Sequence, residues 1–395
     1  MNDLLLVLIP ALNAFFCTCW IHPYVLKVAK SKNIVDNPDA RKLQRVPVPI
    51  LGGLNVVFGI LSGIMALNLF GEPYELFPVF AAIFVILIIG LIDDMISLSP
   101  KLRFVAEIIL VFYLIYTTGF QINDFHGLWG VGMISNYISV PLTIFACVGI
   151  INAINLIDGV DGYSSGYTMV SCLLFGIMFY NLGDIKMVAL AAIVAASLAP
   201  FFLHNVFGKK SKMFIGDAGT LSLGIIFSIF VITILTANQN IEVAQDNLGL
   251  IPFTLAVLCV PVFDTLRVMS ARIVRGKSPF SPDKTHLHHL FIELGYSHIG
   301  TTLSIIGINL FVVICWFLAY KWGLSIDMQL YIVVALGFFV TFIFYPFVKK
   351  QIRKESGIYY SLRRIAELTH AERKGFWLFA QEWADKSTSE EVRNL

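Results

Sequence analysis

The sequence predicts an all-α protein that crosses a membrane many times. Three observations predict it. The chain is 57% hydrophobic and only 14% charged, where a soluble domain carries roughly 25% charged residues. Its mean hydropathy is +0.79. Runs such as "FPVFAAIFVILIIGLI" hold no charge at all, and about 20 apolar residues span a bilayer core as a helix. The net charge of +2 says little until the charges are sorted by side.

About eleven candidate spans follow in chain order: 3–25, 50–70, 77–96, 101–120, 137–154, 164–182, 185–204, 218–237, 247–270, 301–320 and 328–348. The first reads as a retained span, because no basic segment precedes it and its apolar run is long. The loop after it, "KVAKSKNIVDNPDARKLQRV", carries six basic residues. Inner loops collect Lys and Arg, so the N-terminus is expected outside and the C-terminus in the cytoplasm. That topology sorts 26 of the 28 Lys and Arg residues to one side and leaves only Lys186 and Lys321 on the other. Residues 1–348 are then expected to form the transmembrane domain that carries the chemistry in its cytoplasmic loops. Residues 349–395 are expected to be a basic or amphipathic cytoplasmic tail, in which Phe376, Trp377, Leu378 and Phe379 suit a membrane interface. All six cysteines lie in apolar runs, so no disulfide framework is expected.

Four polar stretches interrupt this apolar chain, and the topology puts all four on the cytoplasmic face. Asp93 and Asp94 end the third span. An unpaired Asp in a bilayer costs about 2.5–3.5 kcal/mol, and adjacent carboxylates raise one another's pKa unless a cation joins them. Mg²⁺ suits such a pair; the plainer alternative is a helix end in the headgroup region. In "NAINLIDGVDGY", Asp158 and Asp161 are spaced for one face of a helical turn, with the Asn152 and Asn155 amides nearby; an Asx-turn between spans is the alternative. In "KMFIGDAGTLSLG", Asp217 precedes an apolar helix whose free N–H groups favour phosphate. Phe214 either stacks on a base or packs. In "SPFSPDKTHLHHLFIELG", His286, His288 and His289 stand near Lys284 and Arg275. They suit an anionic phosphate or a sugar better than zinc, which wants further matched ligands. Together the stretches point to a Mg²⁺-dependent reaction of a phosphate compound at the membrane surface, where positioning and charge neutralisation supply most of the catalysis. The carboxylates lie where a soluble phosphate compound meets a lipid phosphate. A transporter would carry its carboxylates near the midplane, often in repeated halves, and a scaffold leaves the acidic clusters unexplained.

The stretches "GLIDDMISLSPKLRF", "NAINLIDGVDGYSSG", "FIGDAGTLSLG" and "RGKSPFSPDKTHLHHLFIELG", in this order, resemble the polyprenyl-phosphate N-acetylhexosamine-1-phosphate transferases over about residues 40–300. The resemblance implies an enzyme of the bacterial inner membrane, its active site facing the cytoplasm. It would move N-acetylglucosamine 1-phosphate from UDP-GlcNAc to undecaprenyl phosphate, release UMP and start a surface glycan. By position, it implies Asp217 as the Mg²⁺ ligand, with Mn²⁺ as an alternative ion. It implies Asp93 and Asp94 as a catalytic pair at the lipid-phosphate end, and Asn155, Asp158 and Asp161 beside the nucleotide-sugar. Phe214 would stack on uracil, His286, His288 and His289 would meet the diphosphate or sugar, and Lys101 would supply a basic contact. Ser97 stands where the motif often carries a third charged residue. Leu287 interrupts the run of three histidines found in the muramoyl-pentapeptide branch, which favours GlcNAc over UDP-MurNAc-pentapeptide or another UDP-N-acetylhexosamine. The implied partners are the UDP-sugar, undecaprenyl phosphate, membrane lipid and a second copy in a homodimer, with no nucleic acid.

Overall fold

The computed structural model describes residues 3–38, 44, 46–70, 76–237, 247–279, 285–370 and 375–393. Lys284, singled out above, lies outside them, as does the side chain of Phe376. Among the described residues the chain is helical nearly throughout, with one two-residue antiparallel ladder, β1 (Val35–Asp36) with β2 (Val48–Pro49). It divides into two compact units that do not follow chain order.

The first unit comprises residues 1–121, 140–233 and 372–395. It holds α1 (Asp3–Ser31), α2 (Gly52–Phe70), α3 (Phe77–Ile96), α4 (Pro100–Thr118), most of α5 (Asn136–Leu156), α6 (Tyr163–Asn181), α7 (Ile185–Phe207) and α8 (Gly216–Ile234). α8 is its centre: 94% of its span is buried, against 22% for α1. A helix that is apolar all round belongs inside, whereas α1 turns Leu5, Leu8, Leu12, Phe16 and Trp20 outward, where lipid replaces water as their solvent. Small and hydroxylated residues let the helices approach closely. Thr18 and Ser197 share a buried hydrogen bond of 2.9 Å between α1 and α7, and the Ser197 hydroxyl donates to the Val56 carbonyl at 2.7 Å.

The second unit comprises residues 122–139 and 234–371. It holds α9 (Leu250–Val257), α10 (Cys259–Val274), α11 (Leu287–Glu293), α12 (His298–Lys321), α13 (Ile326–Phe338), a π-helical segment (Phe339–Phe344), α14 (Tyr345–Lys354) and α15 (Gly357–Leu368). α9 and α10 bend by 72° at Leu258. The backbone groups freed by that break must be satisfied inside the protein, and Asn309 of α12 does it. Its carbonyl accepts from Val260 N at 3.0 Å and its amide donates to Val257 O at 3.0 Å.

Helices stand at all eleven expected positions, but fewer are apolar enough to cross a membrane on length and composition. Eight qualify among the described residues, or nine if the bent α9–α10 pair is one span. α4 does not qualify because Lys101, Arg103 and Glu107 sit in its first half, and α6 opens on the polar run Tyr163–Thr168. The segment 349–395 is shared out: α15 belongs to the second unit, and α16 (Gly375–Arg393) to the first.

Candidate active site

In the first unit the site grows from the N-terminus of α8. Gly216 adopts φ +66°, and a Cβ there would lie 2.6 Å from the Asp94 carboxylate. Gly90 packs α3 against α8 so closely that a Cβ would come within 2.4 Å of the Ala218 Cα. One helical turn later the same face carries Asp94. Its two oxygens accept the free N–H groups of Asp217 at 2.7 Å and Ala218 at 3.0 Å, which complements the positive end of the α8 dipole. Asp94 therefore joins α3 to α8.

Asp93 points elsewhere. The chain leaves α3 through Ser97 in the left-handed region, φ 53°, so that Leu98 N reaches Asp93 Oδ1 at 2.7 Å. Arg103, one turn into α4, donates Nη1 to Asp93 Oδ2 at 3.1 Å and approaches Glu107 Oε1 at 3.6 Å. The Asn152 amide donates to Glu107 Oε2 at 2.6 Å. Asp217 takes a 2.5 Å hydrogen bond from Asn155 Nδ2, which also donates to Thr220 Oγ1 at 2.8 Å. The Asp93 carboxyl lies close enough to Asp217 for each to feel the other's charge.

Asp158 sits in the α5–α6 loop, where the Ser164 hydroxyl donates to it at 2.8 Å. Its enclosure by protein, together with the charges of Asp217 and Asp161, pushes its carboxyl up to about 7, against the opposing Ser164 bond. The side chain stays reachable by solvent, so enclosure here means lining a recess. Asp161 is paired with Lys212 at 2.6 Å, and the Lys212 ammonium stands 5.6 Å from the Phe214 ring centroid. Asn205 of α7 ties the two loops together: it accepts from Gly162 N at 2.7 Å and donates to Met213 O at 2.8 Å.

Asp93, Asp94, Glu107 and Asp158 thus lie close enough to Asp217 to act on it or feel its charge, and Arg103 answers Asp93 and Glu107 among them. Two carboxyls in mutual reach must share a proton or a cation. Among the described residues no three His, Cys, Asp or Glu side chains surround a common point. A Mg²⁺ site does not require that, since one or two carboxylates, waters and substrate phosphates suffice. Asp217 and Asp93 fit such a site.

The second unit holds a different cluster. Asp264 of α10 accepts from Arg267 Nη2 at 2.6 Å, from Leu287 N at 3.1 Å, and pairs with His286 Nδ1 at 2.9 Å. Arg267 also donates to Thr285 O and stacks 3.7 Å over the Tyr345 ring. The His286 and His288 rings lie parallel at 5.8 Å, and His288 meets His289 at 4.3 Å. Burial, then the neighbouring histidines, push His288 well below the usual imidazole range. The His286 Nε2 atom is buried without a partner among the described residues.

Comparison with known proteins adds the deciding observation. A family model described as "Glycosyl transferase family 4" matches residues 76–235. A "Probable undecaprenyl-phosphate N-acetylglucosaminyl 1-phosphate transferase" of Bacillus subtilis (strain 168) is 30% identical over 290 residues, 72% of this chain and 77% of that protein. An "Undecaprenyl-phosphate alpha-N-acetylglucosaminyl 1-phosphate transferase" of Escherichia coli (strain K12) is 30% identical over 303 residues, covering 75% and 79%. A "Decaprenyl-phosphate N-acetylglucosaminephosphotransferase" of Mycolicibacterium smegmatis is 30% identical over 328 residues, covering 77% and 79%. The chain belongs to glycosyl transferase family 4.

As a family 4 member it is a multi-pass membrane glycosyl-1-phosphate transferase. The matched segment runs from α3 through α8 and carries every acidic residue singled out from the sequence. The structure brings Asp93, Asp94, Asn155, Asp158 and Asp217 together and sets Asp161 and Phe214 beside Lys212. His286, His288 and His289 fall in the second unit. Lys101 and Arg275 are exposed on their helix ends and form no ion pair among the described residues; Arg103, Lys212 and Arg267 are bound to carboxylates there instead. Sequence reasoning passed over Arg103, Glu107, Lys212 and Asp264. Arg103 and Glu107 had a signal, opposite charges one turn apart inside a span. So did Asp264, a lone carboxylate three residues before an arginine in an apolar run.

Proposed function

We propose that this family 4 enzyme transfers N-acetylglucosamine 1-phosphate from UDP-GlcNAc to undecaprenyl phosphate at the cytoplasmic face of a bacterial inner membrane, with Mg²⁺. The observation that carries the reading is the excess of carboxylates at the α8 N-terminus. Such a recess favours a cation and, through it, a diphosphate. The names of the relatives support the sugar and the lipid, and the one-sided distribution of Lys and Arg supports the cytoplasmic orientation.

Asp217, with Asp93, would hold Mg²⁺, which supplies charge neutralisation on the diphosphate and on the departing UMP. The residues do the rest. Phe214 offers a half-buried ring for the uracil, with Lys212 beside it for a phosphate oxygen. Arg103 holds the Asp93 carboxylate in place. Asn155 fixes the Asp217 carboxylate in one rotamer. An oxygen of the lipid phosphate attacks the sugar-linked phosphorus, and the bond from that phosphorus to the bridging oxygen breaks. UMP leaves with the electron pair. A lipid phosphate monoester loses its second proton near pH 6, and Asp158, its carboxyl near 7, is matched to receive it.

The test is UMP release by purified protein given UDP-GlcNAc, undecaprenyl phosphate and Mg²⁺. Control reactions omit the lipid, add EDTA, or substitute UDP-GalNAc or UDP-MurNAc-pentapeptide. Release that needs lipid and metal and prefers GlcNAc supports the reading in full. Release with another donor alone keeps the mechanism and overturns the sugar. No release from folded protein with any donor overturns the reaction.

A further inference from the structure

We propose that the C-terminal helix α16 belongs to the donor site, with Asp385 as the positioning residue for the loop that carries Lys212 and Phe214; this rests on the donor role given to those two side chains above. α16 lies against α7 and α1. The Trp377 ring meets Phe207 edge-on at 4.7 Å, and Trp383 lies 6.0 Å from the His204 ring. This packing delivers Asp385 to the turn after α7. There a single oxygen, Oδ1, accepts from Lys209 N at 3.0 Å, Lys210 N at 2.8 Å, Ser211 N at 3.1 Å and Ser211 Oγ at 3.2 Å.

Consecutive backbone N–H groups turned to one point form a concavity for an anion, and here the protein supplies the anion itself. The carbonyls of the same turn are held by other groups. Lys30 Nζ donates to Lys210 O at 2.7 Å, and His22 Nε2 bonds Ser211 O at 3.0 Å. The turn is therefore fixed through both its donors and its acceptors immediately before Lys212, which pairs with Asp161, and three residues before Phe214. Phe214 is in turn fixed by its backbone, with N donating to Pro49 O at 2.7 Å and O accepting from Gly52 N at 2.9 Å. Removing the carboxylate frees three peptide N–H groups at once and releases the end of the loop on which Lys212 depends. The loss should fall on the nucleotide and spare the lipid.

The experiment uses the full chain in lipid nanodiscs and compares wild type with Asp385→Ala and Asp385→Asn. UDP-GlcNAc affinity is read by calorimetry, KM for each substrate by UMP release, and Tm alongside. Asp385→Ala should weaken donor affinity and raise donor KM by about 10-fold, the scale of a small misplacement in a positioned site. KM for the lipid phosphate should stay within about twofold on the same grounds. Asp385→Asn, which keeps an acceptor oxygen and loses the charge, should lie between. Unchanged donor affinity in Asp385→Ala overturns the proposal. So does a parallel fall of kcat, both affinities and Tm in the two variants, which marks a merely structural helix. If Asp385→Ala fails to fold, the donor affinity of Asp385→Asn decides by the same rule. Wild type that binds UDP-GlcNAc but never releases UMP sinks the transferase reaction and leaves the positioning result to stand on affinity alone.

Discussion

The acidic cluster of the first unit and the histidine cluster of the second are built on opposite charge balances. Around Asp217 the carboxylates outnumber the cations. Around Asp264 the balance is closed: Arg267, His286 and the Leu287 N–H all serve one carboxylate. A carboxylate answered by that many donors is structural in itself, and what it orients is His286, whose buried Nε2 has no partner among the described residues. The first cluster leaves carboxylate charge unanswered, which suits a cation, and the second holds a side chain in place. Residue types alone conceal this, since both clusters read in sequence as acids and bases on one face.

Asp217→Asn should break the comparison most severely. Loss of one charged ligand from a phosphoryl-transfer site costs on the order of 10³-fold or more in kcat, and UMP release measures it. The helical fold should persist, because Asn155 still finds an acceptor in the new side chain. Arg103→Ala comes next, with a loss of about 10²-fold: it leaves Asp93 and Glu107 without their guanidinium, and Arg103→Lys should restore part of the rate. In the second unit, Asp264→Asn should lower kcat/KM by about 10- to 100-fold through misorientation of His286, the usual scale for a group that orients a functional one. It should not alter the Mg²⁺ requirement.

Smaller effects sharpen the contrast. Asp158 carries a carboxyl raised to about 7 from an ordinary value near 4. A raised carboxyl pKa is ionised only above that value, so a step needing the Asp158 anion should strengthen as pH rises from 6 to 8. A kcat/KM profile should show the acid limb, moved downward by any bound cation. The stability sign is opposite. A carboxyl whose folded pKa lies above its unfolded one costs stability as pH rises through the folded value. Asp158→Asn should therefore raise Tm at pH 8 while lowering activity. Phe214→Leu keeps an apolar contact and loses only the stacked ring, so it should raise donor KM by about 5-fold, the low end of the roughly 1–3 kcal/mol that stacking is worth.

Much of this architecture was legible in advance. Continuous apolar runs marked the helices, and acidic residues at their ends marked the candidate site, because both signals are local. The functions of the two neighbours Asp93 and Asp94 were not separable by sequence. Asp94 caps a helix that begins more than a hundred residues later, through a close approach that Gly90 permits and nothing nearby announces. The bend between α9 and α10 escaped for a similar reason, since its freed backbone groups are satisfied by Asn309 from another helix. α16 read as a tail because its partners, the turn at Lys209–Ser211 and the Phe207 and His204 rings, are distant in sequence.

If the proposed cation site is right, the cation belongs to the first cluster and not the second. Mn²⁺ binding in the presence of UDP, followed by electron paramagnetic resonance on wild type, Asp217→Asn and Asp264→Asn, tests this directly. Wild type and Asp264→Asn should each bind one ion, and Asp217→Asn none. Normal binding in Asp217→Asn with loss in Asp264→Asn would contradict it.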